Sequence, residues 1–457
     1  MPVPGVPSFW LDSLSGAELA ARPPLAGDTE TDVVIVGGGY TGLWTAYYLR
    51  VFDPGLRVLV VDGMQAGFGA SGRNGGWCTA EMPSGLMTMI RRHGLKAALQ
   101  LFRAGRKSLD EIERVTVEEG IDCHWRKDGA LYLARTGPQE DRLRAWHEAR
   151  RMMGITGLKL LTPADVSERI DATGVRAAGY TPHCAAIHPA RLARGLATVV
   201  ERRGATIAEH TRALDLRPGL VRTDHGTVRA RFVVCATEAY TGRLPGHRRR
   251  IVPLYSHMIA TEPLAPELVA KLGWRDRMTV ADSHYRYAYL QRTADDRIVV
   301  GGRSIGYHLG SRTDRRFDRD EQVRGLLQSS LVELFPALSG VRVSHHWGGA
   351  FGLHRDALPV VVHDENTGLA HVGGYGGEGI ALSNLAGRSL AALLTKADRP
   401  EATLCWTNHR ARRWEPEPLR FIGVRGLSGL AGSADRFEDR TGRPARLRGR
   451  LAVRATV

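Results

Sequence analysis

The sequence predicts an α/β protein in which a Rossmann-type domain is joined to a second, α+β domain built on an antiparallel sheet. Three observations support this. A strand, a glycine-rich turn and a helix follow one another over residues 33–50. Two further glycine clusters follow this turn in sequence, one nearby at 67–76 and one far along the chain at 374–379. Between those clusters, residues 251–302 form short runs of alternating apolar and polar side chains, which are typical of antiparallel strands.

The first of these stretches has the order expected of a dinucleotide site. Residues 33–36 are a short β-branched run, which predicts a buried parallel strand. Gly37, Gly39 and Gly42 follow with G-x-G-x-x-G spacing, and a helix is predicted over 40–50. Glycine at these places allows a tight turn, close approach of a pyrophosphate and close contact between helix and strand. The free N–H groups at the helix N-terminus then favour phosphate.

A second predicted strand, 57–61, ends at Asp62, which lies 20 residues beyond Gly42. At this place a carboxylate accepts hydrogen bonds from the ribose hydroxyls of a bound dinucleotide. A glycine fingerprint alone also occurs at ordinary strand–helix turns. The strand, fingerprint, helix, second strand and terminal acid occur here in register, and together they indicate dinucleotide binding.

Composition excludes several classes of protein. A chain of 457 residues is too long for one core and predicts two domains. The net charge of +15 comes from dispersed arginines, so we expect a basic surface and a disordered C-terminal tail, not a nucleic-acid partner. Five cysteines without a C-x-x-C pair predict reduced thiols, no metal site and a cytoplasmic protein. Neither a signal peptide nor a membrane-spanning run is predicted.

The remaining elements follow in order. The cluster at 67–76 offers open backbone and the polar side chains Ser71, Arg73 and Asn74 to a flat ligand. Residues 81–157 are predicted to be a mostly helical insertion with one strand at 130–133. The predicted domains are a dinucleotide-binding domain (1–86, 158–245 and 341–425), a substrate domain (87–157 and 246–340) and a basic tail (426–457). Further predicted elements are helices at 187–200, 318–334 and 380–394 and strands at 205–207 and 231–236.

These motifs resemble those of the FAD-dependent oxidoreductases of the D-amino-acid oxidase superfamily, near the glycine/sarcosine oxidase and gamma-glutamylputrescine oxidoreductase branch. The resemblance spans nearly the whole chain in the family's order. The segments that carry it are VVIVGGGYTGLWTAYYL (33–49), GFGASGRNGG (67–76), HPARLARGLA (188–197), VVCATEAYT (233–241), VGGYGGEGIALSNLAGRSLA (372–391) and WEPEPLR (414–420).

The resemblance implies an extended FAD. Some members of the family link flavin covalently through a cysteine or histidine, but no segment here matches a linkage motif, so we expect noncovalent FAD. A helix N-terminus near residue 380 would stabilise the negative charge that develops on the flavin pyrimidine. Glu378 would oppose that charge, so we interpret it as a turn or capping residue. The residues implied to hold FAD are Gly37, Gly39, Tyr40, Thr41, Gly42, Asp62, Gly69, Ala70, Ser71, Arg73, Asn74, Gly75, Ile207, Thr237, Gly374, Gly376, Gly377, Gly379 and Ile380.

The implied reaction is hydride transfer from the carbon beside the nitrogen of a small amine or N-substituted amino acid to flavin N5. The imine formed then hydrolyses, and oxygen or another acceptor reoxidises the flavin. Arg355 suits a substrate carboxylate or a surface ion pair, and His257 suits a base or a satisfied sheet histidine. Tyrosines 285, 287 and 289 are expected to share one face. The substrate-side candidates are Tyr255, His257, Tyr285, Tyr287, Trp347, His354 and Arg355.

Two alternatives remain open at this point. An NAD-dependent dehydrogenase shares the first fingerprint but needs neither of the later glycine clusters. A flavin-binding protein without turnover would keep all three clusters.

Overall fold

The computed structural model describes residues 8–82 and 85–455. Its helices are α1 (Phe9–Asp12), α2 (Gly16–Leu19), α3 (Tyr40–Phe52), α4 (Leu86–Glu118), α5 (Gly137–Met152), α6 (Pro163–Ser167), α7 (Pro189–Arg202), α8 (Pro266–Lys271), α9 (Glu321–Leu334), α10 (Gly379–Thr395), α11 (Leu419–Thr441) and α12 (Arg446–Ala455). Its strands are β1 (Thr29–Val36), β2 (Val58–Val61), β3 (Trp77–Thr79), β4 (Ala130–Ala134), β5 (Lys159–Leu161), β6 (Ala177–Thr181), β7 (Cys184–Ala186), β8 (Thr206–Ala208), β9 (Ala213–Arg217), β10 (Leu220–Thr223), β11 (Thr227–Cys235), β12 (Val252–Thr261), β13 (Thr279–Asp282), β14 (Ala288–Arg292), β15 (Ile298–Gly302), β16 (Val343–Leu353), β17 (Val360–Asp364) and β18 (Leu369–Gly373).

The first sheet has the predicted Rossmann-type core. Its order is β17-β18-β11-β1-β2-β8, and the pairs β18–β11, β11–β1, β1–β2 and β2–β8 are parallel. β1 is buried because its Val-rich residues face cores on both sides of the sheet: Val33 and Ile35 pack with α3 and α10, while Val34 and Val36 lie in a second cluster. Such two-sided burial explains why the strand is a continuous apolar run.

The second sheet has the order β16-β12-β15-β14-β13-β4-β6-β5 and is antiparallel except for the parallel pair β13–β4. The predicted fold class is therefore confirmed. Three strands, β5, β6 and β16, lie in this sheet, although the predicted boundaries assign their residues to the dinucleotide-binding segments. The sequence of a short apolar strand does not indicate which strand it pairs with. The predicted domain boundaries therefore differ from the division between the two sheets.

Helix α4 was predicted to lie in an insertion outside the dinucleotide-binding domain. Instead, its residues Leu101, Phe102 and Leu109 are buried in the same core as Trp44 of α3 and Leu385 of α10. Gly94 has φ +80° and ψ 161°, so the chain kinks there between two helical parts. The prediction was wrong because the apolar stripe of an amphipathic helix does not indicate which surface covers it.

The C-terminal segment is helical, not disordered as predicted. In α11, Asp435 and Glu438 are buried, and they accept hydrogen bonds from groups around β14. Asp435 accepts from the backbone N–H groups of Tyr285 (2.8 Å) and Arg286 (2.9 Å), and Glu438 pairs with Arg142 at 2.6 Å. These acids attach the basic tail to the second sheet. Within the described residues, the helices are all too short or too polar to cross a membrane.

Candidate active site

The first glycine turn joins β1 to α3 and leaves no room for side chains. Gly37 has φ +114°, and a Cβ atom there would lie 2.5 Å from the Ala236 carbonyl oxygen. A Cβ on Gly42 would overlap the Gly37 carbonyl oxygen. Helix α3 therefore begins directly against the turn, which is what the fingerprint spacing requires for phosphate to reach the helix N-terminus.

Asp62 follows β2 and points back to this turn. Its carboxylate accepts hydrogen bonds from the backbone N–H groups of Gly38 at 2.6 Å and Met64 at 2.8 Å. Burial raises the pKa of Asp62 to about 6, against these two hydrogen bonds, which lower it. A half-buried acid beside the glycine turn has the position and chemistry needed to accept bonds from a ribose.

The second glycine segment packs directly on the first. Gly67 donates its N–H to the Gly38 carbonyl oxygen at 2.9 Å, and the Tyr40 N–H donates to the Ser71 hydroxyl at 2.9 Å. Residues Ala70–Gly72 form a 3₁₀ helix that begins after Gly69. Asn74 stabilises this helix, since its amide donates to the carbonyl oxygens of Ala70 and Ser71, both at 3.0 Å.

Arg73 and Gly75 connect that segment to the second sheet. The buried Arg73 guanidinium pairs with the buried Asp318 at 2.7 Å and donates to the Gly348 carbonyl oxygen at 3.3 Å. The Gly75 carbonyl oxygen accepts from the Gln291 amide at 2.8 Å. Burial raises the pKa of Asp318, and the positive charge of Arg73 opposes that rise.

The third glycine segment precedes α10 and contacts the first. Gly374, Gly376 and Gly377 have φ of +83°, +62° and +110°, so this turn requires glycine. The Tyr375 hydroxyl lies 3.0 Å from the Thr41 hydroxyl, and Ile380 is buried in the first turn of α10. Gly379 begins that helix. All three glycine segments therefore meet around the start of α3.

Glu238, which follows the end of β11, organises the third segment. It accepts hydrogen bonds from the N–H groups of Gly374 (2.8 Å) and Tyr375 (3.3 Å), and burial raises its pKa to about 7. Neither Glu238 nor Asp318 was among the predicted site residues. Glu238 could have been found, because it directly follows the predicted Thr237 at the carboxyl end of a parallel strand. Asp318 has no comparable position in the sequence that would have indicated a site residue.

The other implied cofactor residues lie at the edges of this region. Ile207 is buried in β8 opposite Val60. The Thr237 hydroxyl lies 2.9 Å from the Thr241 hydroxyl, and its backbone N atom is 3.3 Å from an ideal Cβ on Gly37. Glu378 occupies the N-cap position of α10, but its side chain makes no capping hydrogen bond. It accepts instead from the Met82 N–H at 2.8 Å, so Glu378 follows the glycine turn at the N-cap position but does not cap the helix through its side chain.

Four substrate-side candidates lie close to the glycine segments. Tyr255 and His257, on β12, pack against the 3₁₀ helix Arg315–Asp318, whose last residue pairs with Arg73. Burial lowers the pKa of His257, which makes its imidazole neutral at pH 7. The buried Trp347 donates its indole N–H to the Arg73 carbonyl oxygen at 2.9 Å. A Cβ on Gly374 would overlap the ring of His354.

Two other candidates have partners elsewhere. Arg355 is exposed, and its Nε donates to both carboxylate oxygens of Glu415, at 2.9 and 3.0 Å. Tyr285 precedes β14 and contacts α11 through Asp435 and Glu438. Tyr285, Tyr287 and Tyr289 were predicted to share one face. In the structure, the rings of Tyr287 and Tyr289 lie side by side with centroids 6.0 Å apart, whereas Tyr285 contacts α11.

This fold and site define a dinucleotide-binding oxidoreductase with a second sheet over the cofactor cradle. The cradle fits FAD, because close backbone approach at Gly37, Gly42 and Gly72 excludes any Cβ and the half-buried Asp62 carboxylate faces the turn. Residues 32–393 match the family described as "FAD dependent oxidoreductase" (DAO). The chain belongs to this family, as the sequence motifs predicted.

The relatives agree with this assignment. Gamma-glutamylputrescine oxidoreductase of Escherichia coli (strain K12) is 32% identical over 372 residues, which cover 79% of this chain and 83% of the relative. Glycine oxidase of Geobacillus kaustophilus (strain HTA426) is 25% identical over 380 residues, covering 80% and 93%. The crystal structure of glycine oxidase from Geobacillus kaustophilus has a TM-score of 0.69 at 23% identity and covers 83% of this chain and 99% of that chain. This last similarity concerns the fold.

Proposed function

We propose that this FAD-dependent oxidoreductase oxidises the C–N bond of a small amine or N-substituted amino acid. Bound FAD supplies the hydride acceptor for the carbon beside nitrogen, and the resulting imine is hydrolysed by water. The names of the relatives, which include an oxidoreductase of gamma-glutamylputrescine and a glycine oxidase, support this substrate class. The observation that carries the proposal is the convergence of Gly38, Ser71 and Tyr375 on the start of α3.

The residues of the chain have distinct tasks in this proposal. Asp62 accepts hydrogen bonds from the ribose, and the glycine turn at 37–42 holds the pyrophosphate. The glycine-rich backbone at 374–377 would lie against the flavin pyrimidine, and Glu238 keeps this backbone in place by accepting the N–H groups of Gly374 and Tyr375. Asp318 neutralises Arg73 beside the second sheet, so Arg73 already has a carboxylate partner before a substrate binds.

Noncovalent attachment of FAD is part of the proposal. Formation of a thioether requires a reactive thiolate. The Cys78 thiol is fully buried, and this burial raises its pKa well above the ordinary value. All five cysteines are free. Acid precipitation of the purified protein should release all the yellow colour into the supernatant, and colour retained in the pellet would contradict noncovalent binding.

Both oxygen and another acceptor remain candidates for reoxidation of the flavin, and the cytoplasmic location remains a prediction. An oxidase and an oxidoreductase occur among the relatives. The proposed function is tested by mixing the purified yellow protein anaerobically with amines, polyamines and amino acids. Bleaching of the flavin absorbance identifies substrates, and peroxide formation on admission of air identifies an oxidase. Bound flavin that none of these compounds reduces would refute the substrate class but not the cofactor.

A further inference from the structure

The N-terminal segment, residues 8–22, lies against both the second glycine segment and the second sheet. Phe9, Trp10 and Leu14 are buried in one cluster with residues of α7 and of strands β12, β15 and β16. Trp10 is 1% exposed, and its ring centroid lies 6.5 Å from that of Trp347. The proposed function gives this segment no task.

Five successive carbonyl oxygens of the second glycine segment, those of residues 72–76, accept hydrogen bonds from outside the segment. The donor–acceptor pairs are the Ser8 hydroxyl to Gly72 (3.1 Å), the Trp347 indole to Arg73 (2.9 Å), the Trp10 indole to Asn74 (2.8 Å), the Gln291 amide to Gly75 (2.8 Å) and the Ile187 backbone N–H to Gly76 (2.9 Å). All four side-chain donors are buried, so these bonds are shielded from water. Residues that are distant in sequence therefore set the orientation of each of these carbonyl groups.

The N-terminal segment is itself fixed to the dinucleotide-binding part of the molecule. The Ser13 hydroxyl lies 2.9 Å from Nε2 of His188, the residue that precedes α7. At the other end, the fully buried Glu209 accepts from the backbone N–H of Arg22 at 2.8 Å. Glu209 also accepts from the backbone N–H of Ala66 at 2.9 Å, directly before the second glycine segment. These contacts hold the N-terminal segment and the second glycine segment in one relative position.

The orientation of the carbonyl groups matters for a bound flavin. A carbonyl oxygen carries partial negative charge, and negative charge develops on flavin when it accepts hydride. Carbonyl oxygens turned toward the cofactor would oppose that charge. An oxygen that is bonded to a buried donor turns away only by losing the bond, and a buried polar group left without a partner is costly. The donors therefore keep the oxygens of residues 72–76 directed at the protein.

Resting on the proposed function, we infer that Trp10 and Ser8 are positioning residues for FAD. They hold the carbonyl oxygens of Asn74 and Gly72 toward the N-terminal segment, so that the second glycine segment binds FAD in the orientation that favours flavin reduction. Both residues act through the backbone of the second glycine segment. The N-terminal segment is thus part of the cofactor site, although it precedes β1 and the glycine fingerprint.

The test uses the full chain and the variant W10F, which keeps an aromatic ring but removes the indole N–H. FAD is titrated into the FAD-depleted protein, and its dissociation constant should rise about tenfold in W10F, because a buried carbonyl group loses its donor. The midpoint potential of the bound flavin, measured against a reference dye, should be lower in W10F than in wild type, because the freed oxygen opposes charge on the reduced flavin.

W274F is the matched control for this variant. Trp274 is 3% exposed, and its indole N–H donates to the Met278 carbonyl oxygen at 2.9 Å inside the core of the second sheet. Both variants lose one buried indole hydrogen bond, so both should lower the stability of the FAD-free protein to a similar degree. W274F should leave the dissociation constant of FAD and the midpoint potential as in wild type. If W10F leaves these two quantities as W274F does, the role of Trp10 is overturned.

S8A decides the matter if W10F does not fold. Ser8 and Ser15 both cap a short helix, but the Ser8 hydroxyl also donates to Gly72, whereas the Ser15 hydroxyl donates to Glu18. We expect the dissociation constant of FAD to rise about fivefold in S8A and to stay unchanged in S15A. Equal FAD affinity of S8A and S15A would then overturn the inference.

The outcomes separate this inference from the proposed function. Unchanged FAD affinity and midpoint potential in W10F would overturn the role of Trp10 and leave the proposed function in place. A wild-type flavin that no amine or amino acid reduces would refute the proposed function. The measurements on W10F and S8A would still decide the roles of Trp10 and Ser8, because they use no substrate.

Discussion

The hydroxyl groups of Thr41 and Tyr375 lie 3.0 Å apart, although 334 positions separate them in the chain. Both residues are buried. The contact joins the start of α3 to the third glycine segment, and so connects two parts of the cradle for FAD.

A double-mutant cycle should detect this contact. T41V and Y375F each remove one hydroxyl, and we expect a coupling free energy of unfolding of about 1 kcal/mol, measured by urea denaturation. T395V, at the opposite end of α10, is the control and should be additive with Y375F. Full additivity of T41V and Y375F would show that the hydrogen bond contributes nothing.

The glycine turn should not tolerate one methyl group. In G42A the new Cβ would overlap the Gly37 carbonyl oxygen, so the turn must shift away from the phosphate site. We expect a loss of about 3 kcal/mol in unfolding free energy and loss of FAD, measured by denaturation and by the flavin absorbance of the purified protein.

G325A provides the matched control for that variant. Gly325 lies in α9, and a Cβ there would meet nothing within 4 Å. This change should raise stability by about 0.5–1 kcal/mol and leave bound FAD unchanged, because alanine stabilises a helix interior. Normal FAD content in G42A would contradict the assigned role of the turn.

Attachment of helix α11 to the second sheet should depend on the charge of His284. His284 contacts Asp282 at 3.1 Å and Asp439 of α11 at 2.9 Å. These carboxylates raise its pKa to about 9, although burial opposes the rise. The folded-state pKa exceeds the ordinary value near 6.5. The stabilisation is therefore complete below about pH 6.5 and is lost as pH rises through 9.

We expect the His284 interaction to contribute roughly 3 kcal/mol at pH 6 and little at pH 10. Denaturation of wild type and H284Q across this range measures it. Between pH 6 and 10 the difference in unfolding free energy between the two proteins should shrink. A difference that is constant with pH would refute the charged state of His284.

Arg355 should not be needed for turnover. Its pair with Glu415 is exposed, and such pairs contribute at most about 1 kcal/mol. R355A should therefore keep kcat/KM within about twofold for every oxidised amine and amino acid, and should change stability little. A selective rise of KM for carboxylate-bearing substrates would restore Arg355 as the carboxylate ligand that sequence alone allowed.

Local sequence was sufficient for the elements that bind the dinucleotide. The run before Gly37 predicts a buried parallel strand, and the glycine spacing predicts the turn, because both depend on neighbouring residues only. Asp62 could be placed for the same reason, since strand length sets its distance from Gly42. The confirmed family and fold class follow from these local signals and from the order of the motifs.

Contacts between distant segments were decided by the tertiary structure alone. The sequence assigns Arg73 to FAD and Arg355 to a substrate carboxylate or a surface ion pair, but only the fold shows that Asp318 holds one and Glu415 the other. Asp435 and Glu438 lie in a segment that was predicted to be disordered from its excess positive charge. That charge does not indicate which distant residues the two buried acids contact in the folded chain. Glu378 was interpreted as a turn or capping residue, yet only the fold shows that its carboxylate accepts the N–H of the distant Met82. Burial and charge pairing are properties of the folded chain, so they could not be read from local sequence.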